Sequence, residues 1–255
     1  MIVDSGGGTI DITCHQVLGK DEGLREIAPP SGGDWGSTYV NENFEKFLRD
    51  VFGSIVDFNE IKATSEWLTI LDNFEDMKLN CTLSDLESGH KSLNISLISG
   101  SIKSGSVEEN ISEWNMKSSY KLSLSRGFLR IPIPVVHGFF KPLLEKIIGH
   151  IESLLEEESL AGISHMFLVG GFSESPLLQQ TLIKTFEERG IQVKVPSRPS
   201  FAVISGAVQL QLSAVWQLRH LALKLLKYGM ILYMKEERKL QLDLPSIVKM
   251  SLIHS

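Results

Sequence analysis

The first thirteen residues, Met1-Ile2-Val3-Asp4-Ser5-Gly6-Gly7-Gly8-Thr9-Ile10-Asp11-Ile12-Thr13, constrain this chain more than any other stretch. A short apolar run ends in an aspartate, three glycines and a threonine follow, and then Ile10, Ile12 and Cys14 alternate with Asp11, Thr13 and His15. Alternation at period two marks a half-buried strand, so the unit reads as strand, glycine turn, strand. Glycines have no Cβ, and a run of them lets backbone N–H groups approach an anion closely. Asp4 before the turn and Asp11 after it suit a hydrated divalent cation beside that anion. A nucleotide phosphate with magnesium needs both features. A hairpin made permissive by glycine is the alternative that these residues alone leave open.

Other glycine motifs fail on the residues. A Walker loop requires Gly-Lys-Ser/Thr at the start of a helix, and no such lysine follows the turn. A dinucleotide fingerprint counted from Gly6 and Gly8 requires a third glycine where Asp11 stands. The net charge of −6 argues against nucleic acid as the main ligand. That charge is uneven: seven basic and three acidic residues leave positions 215–255 at +4 and the rest of the chain at −10. Two cysteines, Cys14 and Cys81, provide neither a disulfide framework nor a CxxC metal pair, so a reducing compartment, the cytoplasm, is expected. No basic region precedes an apolar segment at Met1, so no signal peptide is read. No apolar run reaches membrane-spanning length, since Lys224 and Lys227 interrupt Leu221–Met234.

Further along, Ala28-Pro29-Pro30-Ser31-Gly32-Gly33-Asp34-Trp35-Gly36-Ser37-Thr38 is dense in turn formers and reads as a loop. Thr38 is placed to cap a helix through Phe44, Phe47, Leu48 and Val51 that Gly53 closes. A second helix is expected from Asn59 to about Cys81, burying Ile61, Trp67, Leu68, Leu71 and Phe74. Alternation from about Leu93 to Ile133 suggests two or three antiparallel strands. Pro132 and Pro134 end that region, and a third helix follows through Phe139, Phe140, Leu143, Leu144, Ile147, Ile148, Ile151 and Leu154–Leu155. Met166–Val169 then reads as a buried strand that stops at Gly170-Gly171, and Pro176 opens another helix through Leu177, Leu178, Leu182, Ile183 and Phe186. Val193–Val195 reads as a strand and Ala202 to about Gln211 as a helix. The strand–glycine–helix at 166–182 is a second element suited to an anion or a nucleoside.

Three segments in order, Asp4-Ser5-Gly6-Gly7-Gly8-Thr9-Ile10-Asp11, Gly33-Asp34-Trp35-Gly36-Ser37 and Leu168-Val169-Gly170-Gly171-Phe172-Ser173-Glu174-Ser175-Pro176, resemble the nucleotide motifs of the actin-like ATPase superfamily. Within it they look like the seventy-kilodalton heat-shock chaperones. The wording from Ala28 to Asn41 is most similar to that family's divergent twelfth branch. The resemblance covers roughly residues 1–212. It implies an α/β, ribonuclease-H-like fold, a mixed sheet flanked by helices with an inserted α+β subdomain, that binds ATP and Mg2+ in a cleft between two lobes. The chain looks like the second lobe, with a core subdomain at 1–36 and 132–212, an inserted subdomain at 37–131 and a divergent basic helical tail at 213–255. The first lobe, with the other phosphate hairpin and the catalytic lysine, is expected to precede Met1.

By the same resemblance, Asp4 and Asp11 match the acids beside magnesium and the attacking water, and Thr9 the hydroxyl on the terminal phosphate. Gly6, Gly7 and Gly8 match the phosphate turn. Gly36 matches the first of a glycine pair whose second member is Ser37 here. Glu75, Lys78 and Thr82 match ribose- and adenine-facing positions, while Gly170, Gly171 and Ser173 match the adenosine loop. For Glu75 and Lys78, an exposed i,i+3 ion pair is the equal alternative. The family's adenine-flanking arginines correspond to Leu79 and Glu174. Their loss predicts weak, millimolar nucleotide binding, because a guanidinium stacked on a base contributes on the order of 1 kcal/mol. The resemblance thus implies a chaperone-like ATPase lobe that does not hydrolyse alone, with client or co-chaperone proteins as partners. The alternative is a non-enzymatic nucleotide-sensing or protein-interaction module. A sugar-kinase-like relative is a lesser one. The tail, with Leu218, Leu221, Leu225 and Tyr228 on one helical face, is suited to a partner or a membrane surface, and a divergent end that packs where it can, with no function of its own, is the equal alternative.

Overall fold

The computed structural model describes residues 1–19, 23–87, 89–102 and 105–209. Met1–Val203 forms one compact unit and Ile204–Ser255 a second. The expected tail at 213–255 lies outside the described residues, as does the end of the last expected helix; its start is helical over 199–209.

The glycine hairpin forms. Strand β1 (Ile2–Ser5) pairs antiparallel with β2 (Ile10–Gly19), setting Ser5 opposite Ile10 and Asp4 opposite Asp11. β2 pairs antiparallel with β3 (Gly23–Gly33). Here the turn-rich segment differs from expectation, because Ala28–Gly33 is strand rather than loop. β3 is the edge of its sheet, where a proline costs no ladder bond to an outer neighbour. Between the pairs Ile12–Ser31 and Cys14–Ala28, one β2 residue faces Pro29 and Pro30, a bulge that takes up the two rings.

Helix α1 (Thr38–Phe52) buries Val40, Phe44, Phe47, Leu48 and Val51, as its spacing requires. It stops at Gly53, whose N–H bonds Arg49 O at 2.8 Å and where a Cβ would lie 2.4 Å from that same oxygen. The expected helix from Asn59 is two helices, α2 (Phe58–Ile61) and α3 (Ser65–Leu79). Thr64 breaks the run by accepting the Trp67 N–H on its hydroxyl. α3 buries Trp67, Ile70, Phe74 and Met77, and Leu68 is exposed. One residue beyond Trp67 is about 100° round the helix, off the line those four share.

Strands β4 (His90–Asn94), β5 (Ser123–Ser125) and β6 (Phe128–Pro132) make a small antiparallel sheet in the order β4-β6-β5. Helix α4 (Val107–Lys117), where alternation suggested strand, intervenes; Ser106 caps it through the Glu109 N–H, and only Ile111 on it is fully buried. Helix α5 (Ile133–Leu155), strand β7 (His165–Val169), helix α6 (Pro176–Glu187) and strand β8 (Gln192–Lys194) follow. β7 pairs parallel with β1 and with β8, completing a five-stranded mixed sheet in the order β3-β2-β1-β7-β8.

One sheet face (Val3, Ile10, Ile12, Met166, Leu168 and Val193) shares a core with Phe140, Leu143 and Ile147 of α5 and Leu178, Leu182 and Phe186 of α6. An aromatic knot joins three helices: Phe44 of α1 stacks on Phe74 of α3 at 3.8 Å, and both meet Phe139 of α5 at 5.9 Å. This knot fixes α1 and α3 against α5, and with them the side chains described next.

Candidate functional site

The glycine turn is held by one hydrogen bond of its own and by three from the residues that lead into α1. Gly6 N–H closes it on Thr9 O at 2.9 Å. The carbonyls of Gly6, Gly7 and Gly8 then accept from Ser37 N at 3.1 Å, Thr38 N at 2.9 Å and Gly36 N at 3.0 Å. Thr38 does not cap α1 with its side chain; its hydroxyl adds a second bond to Gly7 O at 2.9 Å. In a trans peptide the N–H points opposite to the preceding C=O. Three carbonyls drawn toward the start of α1 therefore turn the N–H groups of Gly7, Gly8 and Thr9 the other way. Those of Gly7 and Gly8 have no backbone acceptor among the described residues. Gly36 permits the arrangement, since a Cβ there would lie 2.2 Å from Gly7 O.

Asp4 and Asp11 face each other across the two strands. Burial and the neighbouring Asp11 charge push the Asp4 carboxyl above its usual range. Thr9 Oγ1 donates to Asp11 Oδ2 at 2.8 Å, which orients that carboxylate. The second glycine bend comes to the same place. At the end of β7, Gly170 has φ of 88°, and a Cβ on it would lie 2.3 Å from Asp4 Oδ1 and 2.5 Å from Ser5 O. Its N–H, however, is spent on Pro199 O at 2.9 Å, so this bend contributes close approach through Gly170 rather than that free amide.

Between the bends lies a cleft of about 240 Å3, lined by Gly7, Ser37, Glu75, Lys78, Leu79, Gly171, Phe172 and Ser175. Lys78 is only 2% exposed, with Nζ 2.5 Å from Glu75 Oε2 and 5.8 Å from the Phe74 ring centre. The pair is thus not the exposed ion pair that spacing alone allowed; its lysine is buried while Glu75 is half-exposed. Gly7, Ser37, Glu75, Lys78 and Gly171 come together in the cleft. Gly6, Gly8 and Thr9 belong to the turn beside it, Gly36 to the segment between β3 and α1 that bonds this turn, and Asp4 and Asp11 to the strand ends.

Two expected residues stay outside. Thr82 lies beyond the end of α3, with its N–H on Asp85 and its hydroxyl 2.9 Å from Ser84. Ser173 is buried and donates to Val169 O at 2.7 Å. Phe172 and Ser175 take the cleft instead. They sit three apart around a 3₁₀ turn (Gly171–Glu174), and residues at that spacing eclipse one another. Glu174 accepts a hydrogen bond from Ser200 Oγ. A larger cavity of about 900 Å3 opens at the other end of β1, among Met1, His15, Arg25, His165 and Phe167, and contains none of the expected site residues.

The sequence has counterparts among known proteins. The chain is 31% identical over 211 residues to human and to mouse heat shock 70 kDa protein 12A, and 33% identical over 215 residues to human heat shock 70 kDa protein 12B. The chain is a homologue of the heat shock 70 kDa proteins 12A and 12B. The matches cover 82% of this chain and 30–31% of each relative, so it spans about a third of their length. No protein-family model matches it. The five-stranded mixed sheet with its helices and the small antiparallel sheet agree with this relation to the heat shock 70 family.

Proposed function

We propose that this chain is the ATP-binding second lobe of a chaperone-like heat-shock ATPase. Its core subdomain would comprise 1–36 and 132–212, with 37–131 inserted and a ribonuclease-H-like sheet beneath the site. One observation carries the reading: the N–H groups of Gly7 and Gly8 are turned away from the body while the Gly170 bend closes on Asp4. Free amides receive phosphate oxygens, and opposed carboxylates beside them receive the accompanying cation.

The residues fit magnesium held through its waters. Among the described residues no cluster of three or more His, Cys, Asp or Glu is able to hold a metal. Mg2+ keeps several waters and needs only one or two carboxylates beside the phosphates, which Asp4 and Asp11 supply. When bound, the ion neutralises phosphate charge. The chain's own residues do the rest: Gly7 and Gly8 donate to the phosphates, Thr9 fixes Asp11, and Glu75 with Lys78 border the nucleoside. Phosphoryl transfer is governed by positioning and electrostatics, and half of a two-lobed site positions only one side. Turnover by this chain alone is therefore negligible, and nucleotide affinity is millimolar because Leu79 and Glu174 stand in place of stacking arginines.

A second reading has its own support. Glu174 places a carboxylate beside the adenosine-side bend, which suits a nucleotide-sensing module that recruits partner proteins without hydrolysis. Client or co-chaperone proteins in the cytoplasm are the partners we propose. No helix among the described residues is long and apolar enough to cross a membrane. Calorimetry with Mg–ATP, and phosphate release by the wild type and Asp4→Asn, test the first reading, and a change in captured partner proteins on adding Mg–ATP tests the second. Weak binding lost in Asp4→Asn without turnover supports the lobe; robust Asp4-dependent hydrolysis overturns the claim that it is insufficient alone.

A further inference from the structure

We propose that Trp35 is a positioning residue of the phosphate turn: locked against His150 of α5, it holds the segment whose N–H groups aim the amides of Gly7 and Gly8 outward. The inference rests on the nucleotide reading above and adds a side chain, outside both the turn and the cleft, that sets the geometry of the turn.

Residues 34–37 connect β3 to α1. Gly36, Ser37 and Thr38 donate their N–H groups to the carbonyls of Gly8, Gly6 and Gly7 at 3.0, 3.1 and 2.9 Å, so the place of this short segment decides where those carbonyls point. Ser37, at the N-cap of α1, adds no side-chain cap bond. Trp35 supplies the anchor. Its N–H turns back onto Gly33 O at 2.8 Å, and its indole lies across Gly33, where a Cβ would come 2.7 Å from Cε2. The indole meets the His150 ring edge to face, with centres 5.2 Å apart and planes at 69°, a favoured geometry for ring pairs. His150 is itself fixed, with Nε2 3.1 Å from Ser31 Oγ.

A second grip lies one helical turn away. Lys146, four residues before His150 on α5, has Nζ 4.7 Å from the centre of the Tyr39 ring. Trp35 and Tyr39 flank the three donors, and α5 holds both. Segment and turn are in direct contact between them, since a Cβ on Gly36 would lie 2.2 Å from Gly7 O. With the indole removed, the segment loses its tie to Gly33 and His150 and the three donors shift. The peptides of the turn then rotate, because each N–H is opposed to the carbonyl before it, and the amides leave the orientation that a phosphate needs. Trp35 touches no phosphate and acts through the segment alone.

The test uses the full chain and Mg–tripolyphosphate, which engages the phosphate turn without a nucleoside. Two-dimensional NMR reads the Gly7 and Gly8 amides in the free protein, and titration gives the affinity. Trp35→Ala is expected to move both amide signals before ligand is added and to weaken tripolyphosphate about tenfold, the loss of one hydrogen bond to a charged acceptor. His150→Ala removes one ring contact and should act in the same direction, by about threefold, while Trp35→Phe keeps a ring in place and should stay within about twofold of wild type. Trp114→Ala, which removes a partly buried indole on α4, is the control and leaves both readouts unchanged. A residue that only packs would lower the melting temperature in Trp35→Ala and move neither readout. Unchanged amide signals and affinity in Trp35→Ala, or in His150→Ala should Trp35→Ala fail to fold, overturn the role of Trp35 while the nucleotide reading stands, as does equal weakening by Trp114→Ala. No wild-type affinity for tripolyphosphate overturns both.

Discussion

Replacing Gly170 with alanine tests whether the two glycine bends meet as described. At φ of 88° and ψ of 166° the backbone lies in a region used almost only by glycine, and an L-residue there costs roughly 1–3 kcal/mol. The added methyl would also lie 2.5 Å from Ser5 O and 2.3 Å from Asp4 Oδ1, and the first of these is backbone in β1. Relieving it requires β1 and β7 to part, an overpacking cost of about 1–3 kcal/mol. Together these give a loss of about 2–6 kcal/mol, a large share of the ~5–15 kcal/mol that holds a typical domain folded. Gly171→Ala is the internal control. It has no positive φ, and its added methyl meets nothing within 4 Å, so a change within about 0.5 kcal/mol is expected. Urea unfolding of both variants at one temperature measures the difference. Equal losses in the two, or a loss below about 1 kcal/mol for Gly170→Ala, would refute the close approach of β7's end to Asp4.

Three further outcomes follow from the same geometry. Asp4 has its carboxyl pushed up by burial and by Asp11, so the folded state binds its proton more tightly than the unfolded chain does; stability is then lost as pH rises from the ordinary carboxylate value of about 3.9 through the raised folded value. Thermal melts across that window should show the decline in the wild type and its removal in Asp4→Asn. Lys78→Met keeps the buried stem's volume and leaves Glu75 able to hydrate, so stability should change by no more than about 1 kcal/mol while Mg–ATP affinity falls about tenfold in calorimetry. Phe74→Ala opens the stack on Phe44 and should cost about 3–5 kcal/mol in chemical denaturation, with site residues displaced through α3.

The hairpin, α1, α5, β7 and α6 were legible because their signals are local: period-two alternation, apolar faces and prolines at helix starts. The glycine turn was legible for the same reason, since three adjacent glycines between opposed aspartates restrict what the backbone does there. Misreadings arose where distant context decides. Pro29 and Pro30 read as loop, but an edge position and a bulge let them stay in β3. α4 buries little apart from Ile111, so its periodicity was too faint to override alternation nearby. Thr64 splits the helix before α3 with one side-chain bond, and that break was not visible in the apolar spacing. In the site, which serine faces the cleft depends on the 3₁₀ turn after Gly170; a tight turn places Phe172 and Ser175 on one side and Ser173 inside. The burial of Lys78 likewise depends on residues far away in sequence, since it shares its cleft with Ser37, Gly171, Phe172 and Ser175.

The most direct test follows backbone amides by two-dimensional NMR as Mg–ATP is added to the chain. The account expects the shifts to concentrate on Gly7, Gly8, Lys78, Gly171 and Ser175, with millimolar saturation, and to vanish in Asp4→Asn. Shifts confined instead to the cavity of Met1, His15, Arg25 and Phe167, or none at all at saturating nucleotide, would contradict it.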